Sequence, residues 1–116
     1  MTRGEIWWAD FGLPFGSEPG FERPVLVVQA NSFNQSEINT TLVVPFTTNT
    51  ALAEAPGNVL AKRRETRLSK DSAIVVSQPT ALDKRRLLRH HGHLPAELAR
   101  RVEEGLRLVL DLRRGM

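Results

Sequence analysis

Arg23, Thr47 and Glu18 are residue types that could cleave a phosphodiester without a metal, and each stands where an ordered run gives way to a loop. Arg23 follows the glycine-rich run Gly16-Ser17-Glu18-Pro19-Gly20-Phe21-Glu22 and leads through Pro24 into Val25-Leu26-Val27-Val28-Gln29. A guanidinium is always cationic and its fork of donors matches phosphate oxygens. Pro24 biases the residue before it toward extended backbone, so the side chain is mounted at the mouth of a strand. The same segment is compatible with Arg23 pairing with Glu18 or Glu22 as ordinary surface charge. Thr47 and Thr48 end the run Val43-Val44-Pro45-Phe46 and put hydroxyl donors at a sheet rim, where they equally suit satisfying turn backbone groups. Cleavage of RNA through its own 2′-hydroxyl needs a base for that proton, an acid for the departing 5′-oxygen, and donors on the developing phosphorane charge.

Other chemistries find less support. His90, His91 and His93 lie close together, but neighbours on an extended chain alternate sides, so three converging imidazoles are not expected and no metal site is assigned. There is no G-x-S-x-G elbow and no carboxylate-rich cluster for Mg²⁺, and no cofactor is called for. The absence of cysteine removes disulfides and thiolate chemistry. A pI near 10.2 suggests a polyanion partner. Yet 16 Lys+Arg against 13 Asp+Glu leave only +3, so charge supports that partner weakly. With no apolar leader and no run of about 20 apolar residues, the expectation is a soluble, cytoplasmic protein without a membrane span.

The elements that must position these residues are short strands followed by one good helix. Ile6 to Phe11, Pro24 to Gln29, Thr40 to Val44, Asn58 to Leu60 and Ser72 to Ser77 read as strands, separated by Gly12-Leu13-Pro14, Pro19-Gly20 and Pro56-Gly57. The 116 residues fit a single domain, 1–116. Its class is mainly β with added helices: a small, strongly curved antiparallel sheet or partial barrel. Thr80-Ala81-Leu82-Asp83 resembles a capping box and predicts a short helical turn through Leu87. Leu94, Leu98, Val102, Leu106 and Leu110, widened by Ala99 and Val109, predict an amphipathic C-terminal helix whose remaining charged residues face solvent. Gly105 inside that helix costs about 1 kcal/mol relative to alanine.

The ordered series Arg3-Gly4-Glu5-Ile6-Trp7-Trp8-Ala9-Asp10-Phe11, Gly16-Ser17-Glu18, Arg23-Pro24-Val25-Leu26-Val27-Val28-Gln29, Val44-Pro45-Phe46-Thr47, Lys70-Asp71-Ser72, Ser77-Gln78 and Leu82-Asp83-Lys84-Arg85-Arg86-Leu87 resembles the MazF/PemK toxins of bacterial toxin–antitoxin pairs. The resemblance implies an SH3-like barrel, a homodimer and a metal-independent endoribonuclease. Such an enzyme cuts single-stranded RNA at short sequences, leaves 2′,3′-cyclic phosphate and 5′-hydroxyl ends, and is neutralised by a cognate acidic antitoxin. It implies catalytic roles for Arg23 and Thr47, with Glu18 contributing in some members. Ser17, Pro24, Gln78, Trp7 and Thr48 complete the expected RNA contacts, Trp7 as a stacking surface while Trp8 is expected in the core. Two other readings fit the same fold: a toxin that binds a protein target such as a topoisomerase, and a non-catalytic SH3-like RNA-binding module.

Overall fold

Runs of β-branched and aromatic residues become seven antiparallel strands in the computed structural model, which describes residues 1–13, 16 and 21–112. The strands are β1 (Glu5–Asp10), β2 (Glu22–Val27), β3 (Thr40–Thr47), β4 (Val59–Ala61), β5 (Ser72–Ile74), β6 (Thr80–Asp83) and β7 (Leu87–His93). Two four-residue helices, α1 (Asn31–Asn34) and α2 (Arg63–Thr66), sit in the connections, and α3 (Ala96–Val109) follows β7. The sheet runs β4-β5-β3-β2-β1-β7, with β6 also paired to β3. It is open, ending at β4 and β7, as a curved partial barrel would. No described helix is long and apolar enough to cross a membrane.

β3 organises the sheet because it serves three partners. One edge pairs with β2, Val25 opposite Pro45 and Val27 opposite Val43. On the other edge Thr40 to Val43 pair with β6, while Phe46 and Thr47 pair with Ile74 and Ala73 of β5. The handover falls at Pro45, which has no N–H to give and accepts Val75 N–H through its carbonyl at 2.8 Å.

Alternation along these strands sorts the apolar residues into two clusters. Ile6, Leu26, Val44, Phe46, Ile74 and Val76 face the α3 side and meet Leu94, Leu98 and Val102. Ala9, Val25, Val27, Val43 and Leu82 form a smaller cluster on the other face, with Trp7, Phe11 and Leu87 against it. The expected stripe on α3 holds at Leu98, Val102 and Leu106, while Leu94 is buried just before the helix and Leu110 falls just past it and is exposed. Its charges pair along the solvent face, Arg100 with Glu97 and Glu104 at 2.7 Å each and Arg107 with Glu103 at 2.9 Å. Gly105 has a packing reason: a Cβ there would overlap the carbonyl oxygen of Gly57, so the helix rests directly on the backbone before β4.

Two local expectations are corrected. The segment expected to form a helical turn from Thr80 instead gives β6 followed by a 3-10 turn at Lys84–Arg86. Asp83 does cap, but one turn later than read: its carboxylate accepts Arg85 N–H at 2.8 Å, while Thr80 is occupied in pairing with Val43. The histidine-bearing stretch, absent from the expected strands, is β7, which closes the edge of β1 with register shifts on either side of Trp7-Trp8.

Candidate active site

The register of β2 against β3 sets the site. The ladder ends at the Val25–Pro45 pair, so Arg23 and Thr47 stand two residues past it on neighbouring strands, Thr47 paired there with Ala73 of β5. Both are half-buried. Arg23 shares its face of β2 with the buried Val25 and Val27 and pairs with Ala9 of β1. Glu22, one of the two carboxylates that sequence offered as its surface partner, binds Arg89 instead, Nη1 to Oε1 at 2.9 Å. Among the described residues, Arg23 Nε is buried without a hydrogen-bond partner. Leaving such a donor unsatisfied costs about 1–3 kcal/mol, which an incoming oxyanion would offset.

Thr47 ends β3. Its hydroxyl oxygen accepts Asn49 N–H at 3.2 Å, which fixes the turn and leaves the hydroxyl proton available to donate. The turn role and the donor role, which competed in sequence, are therefore compatible in one side chain. Thr47 and Thr48 both border a cavity of about 70 Å³ together with Trp8, Pro24, Leu68 and Lys70. Of the two threonines, Thr47 is held in β3 by pairing with Ala73 of β5, whereas Thr48 follows the strand.

The remaining expected contacts are distributed unevenly. Pro24 lines the cavity and lies across from Trp8 on β1. Trp7 is on the other face, its indole N–H donating to Glu5 Oε1 at 3.2 Å and its ring meeting His90 edge-on at 5.4 Å. The tryptophan at the cavity is Trp8, which packs against the core and carries the Arg89 guanidinium 5.0 Å above its ring. Gln78 is exposed in the turn before β6, its N–H held by Val75 and its carbonyl by Thr80. Ser17 and Glu18 lie outside the described residues.

The three histidines go to separate neighbours. His90 Nε2 is 3.2 Å from Glu5 Oε2, His91 Nε2 donates to the Thr66 carbonyl at 2.9 Å, and His93 lies against Gly4. Burial works to raise the Glu5 pKa, but hydrogen bonds from Thr2 N–H and Trp7, with the charges of His90 and the N-terminus, outweigh it and lower the value. A larger, more open hollow of about 590 Å³ between Arg3, Asn31 and the first turns of α3 is remote from Arg23 and Thr47, and its Arg100 is already paired.

Sequence reasoning missed two residues near the site. Lys70 was noted only within a motif, although it borders the cavity. Phe21, 62 % exposed, holds a left-handed φ of 59° immediately before β2. A bulky residue in that region stores on the order of 1–3 kcal/mol of strain. Backbone bonds with Phe11 and Gly12 keep it there.

Known proteins similar to this chain identify its family. The model of the PemK-like, MazF-like toxin of type II toxin–antitoxin systems matches residues 2–110. "Endoribonuclease MazF2" of Mycobacterium bovis is 46% identical over 112 residues, which are 97% of this chain and 98% of that relative. "Endoribonuclease EndoA" of Bacillus subtilis is 34% identical over 112 residues, 97% of this chain and 96% of its own. Among solved structures, an endoribonuclease in complex with its cognate antitoxin from Mycobacterial species superposes with a TM-score of 0.79 over 99% of each chain, at 19% identity. With the family model spanning nearly the whole chain and relatives this similar along their full length, the chain belongs to the PemK-like, MazF-like toxin family of type II toxin–antitoxin systems.

Proposed function

We propose that this chain is a sequence-specific endoribonuclease toxin that cuts single-stranded RNA, with messenger RNA in the cytoplasm its natural substrate, by a metal-independent transfer to the 2′-oxygen. The observation that carries the reading is Arg23, whose buried Nε has no hydrogen-bond partner among the described residues and which stands just past the β2–β3 ladder, as does Thr47, which borders the cavity. In the reaction the 2′-oxygen attacks phosphorus as its proton leaves, the bond to the 5′-oxygen breaks, and that oxygen takes up a proton. The products are a 2′,3′-cyclic phosphate and a 5′-hydroxyl. Arg23 binds the non-bridging oxygens as negative charge builds on the phosphorane, and Thr47 donates its free hydroxyl proton to one of them. A guanidinium is a poor base, and Glu18 is the carboxylate assigned to the 2′-hydroxyl proton. Ser17, Pro24, Gln78, Trp7 and Thr48 hold the RNA.

The working unit is a homodimer, since a groove across two copies is longer than one chain of this size offers and the exposed Leu108, Leu110 and Leu112 are apolar surface a second copy would cover. A cognate acidic antitoxin inhibits by competing with RNA phosphates for the cationic groove.

The test is incubation of the purified protein with a long RNA in EDTA, followed by end-group analysis. Discrete cuts ending in 2′,3′-cyclic phosphate are expected. Their absence would remove the ribonuclease reading in favour of a protein-targeting toxin or a non-catalytic module. Thr47→Ala should lower kcat/KM at least ~100-fold, as loss of an oxyanion donor does, and Thr48→Ala much less. The reverse order would move the donor to Thr48.

A further inference from the structure

We propose that the segment Lys62–Lys70, built around α2, is a second phosphate-binding surface that leads single-stranded RNA onward from the cleavage site. The proposal rests on the ribonuclease reading and extends it. Lys62, Arg63, Arg64, Arg67 and Lys70 crowd into nine residues, with Glu65 as the single carboxylate among them. All five cations are exposed.

Among the described residues, the neighbouring carboxylates form no ion pair with them. Glu65 turns back to accept Lys62 N–H at 3.0 Å, and Asp71 accepts Arg63 N–H at 2.8 Å, so both are held by backbone donors. Among the described residues, the side chains of Arg63, Arg64, Arg67 and Lys70 make no hydrogen bond or ion pair.

The segment is nevertheless fixed to the fold by its inner side. Leu68 is 7% exposed in the main core cluster, Thr66 is buried, and the Thr66 carbonyl takes its hydrogen bond from His91 of β7. Arg67 reverses the chain after α2 with a left-handed φ of 63°. A side chain without glycine's freedom pays roughly 1–2 kcal/mol there. The result is a cationic rim on a rigid base.

This rim is continuous with the site. Leu68, Ser69 and Lys70 border the same cavity as Thr47 and Thr48. Its chemistry favours RNA over an acidic protein: the one large apolar side chain of the segment, Leu68, is turned inward, so a peptide would find charge without the apolar anchors on which protein interfaces depend. A phosphate backbone needs no such anchor, because its affinity comes from cations that displace condensed counterions. The strand is single because it continues the strand held for cleavage.

The experiment compares wild type with the triple variant Arg63→Gln, Arg64→Gln, Arg67→Gln on RNAs of about 30 and about 6 nucleotides, the longer fully 2′-O-methylated for binding and unmodified for cleavage. The variant should lose at least ~10-fold in affinity for the long RNA, with the slope of log affinity against log salt falling by about 2, while cleavage of the short RNA holds. Unchanged long-RNA affinity and slope would overturn the proposal, as would equal losses on both lengths, which would mean a disturbed site. Retained RNA affinity with loss of binding to a polyglutamate peptide would reassign the segment to an acidic protein, and overturn it too. Both RNAs carry a sequence cut in the long RNA; if wild type cuts no long RNA, the ribonuclease reading fails separately, and the binding arm with methylated RNA still decides the role of the segment. A milder variant, Arg64→Gln alone, should reduce the slope by about 0.7.

Discussion

Two cationic stretches of this chain have similar composition and opposite circumstances. In Lys84–Arg89 every basic side chain is engaged. Lys84 Nζ donates to the carbonyls of Asn34 at 2.9 Å and Ser36 at 3.3 Å, and Arg85 grips Asp83 with two bonds of 3.0 Å. Arg86 reaches the Asp10 carbonyl at 3.2 Å, and Arg89 holds Glu22 while lying over Trp8. These contacts join β7 and the 3-10 turn before it to α1, β1 and β2. Arg63, Arg64, Arg67 and Lys70 join nothing among the described residues. A formal charge of +3 therefore says little by itself. Arginines bound to carbonyls and carboxylates act as structural ties, and only those left without acceptors offer their field to a ligand.

Among the described residues Arg23 is the extreme case of an unengaged cation, and replacing it should give the largest effect. Arg23→Ala is expected to lower kcat/KM for RNA at least ~100-fold with no loss in thermal stability, since no acceptor among the described residues is left behind. Arg23→Lys should recover little, because a point charge cannot supply a fork of donors. Full cleavage by both variants, or a marked fall in melting temperature, would place Arg23 among the structural ties instead.

A smaller effect is expected from Arg89→Ala, which cuts a tie next to the site. The exposed pair with Glu22 and the contact with Trp8 together contribute about 0.5–1.5 kcal/mol, read as a loss in chemical denaturation. It also leaves Glu22 without its counter-ion one residue from Arg23, so RNA affinity should drop severalfold. Adding Glu22→Gln should restore affinity but not stability. If the double variant binds RNA as poorly as the single, Arg89 touches the RNA itself.

The smallest effect belongs to Asp83. Hydrogen bonds from the Arg85 side chain and backbone hold its carboxyl well below the usual range, at about 2. A pKa depressed by folding means the contribution is complete above the usual aspartate range and disappears as pH falls through about 2. Asp83→Asn should flatten that acid limb of the stability curve and leave RNA binding alone. An unchanged acid limb would show that Asp83 and Arg85 tie nothing.

Much of the fold was legible because five strands carry β-branched or apolar runs whose bounds the structure keeps to within a few residues. β7 escaped because Leu87-Leu88-Arg89-His90-His91-Gly92-His93 has no apolar alternation: it is an edge strand with much of its length in solvent, held by pairing with β1. At Thr80 a local capping signal lost to the β3 ladder, a competition that only tertiary structure decides. The parts of the site were visible as Arg-Pro and as a threonine at a strand end, but the β2–β3 register that sets them on neighbouring strands is encoded by no local pattern. The two tryptophans had to face opposite sides of β1, though which one bordered the cavity followed from packing across to β2. The run Lys62–Lys70 passed unremarked, since sequence does not distinguish a cation with an acceptor from one without.

The contact between Gly57 and Gly105 makes two distant positions interdependent. Gly57 has a φ of 87°, and a Cβ there would meet Val109 at 2.8 Å and the Gly105 carbonyl at 3.2 Å. A methyl group at either position lifts the same helix from the same turn, so the second substitution adds little damage once the first has been made. Neither position can acquire a side chain through single tolerated steps. The exposed charges of α3 are free to drift as long as they alternate in sign, while the seating of that helix is inherited as a pair or lost as a pair.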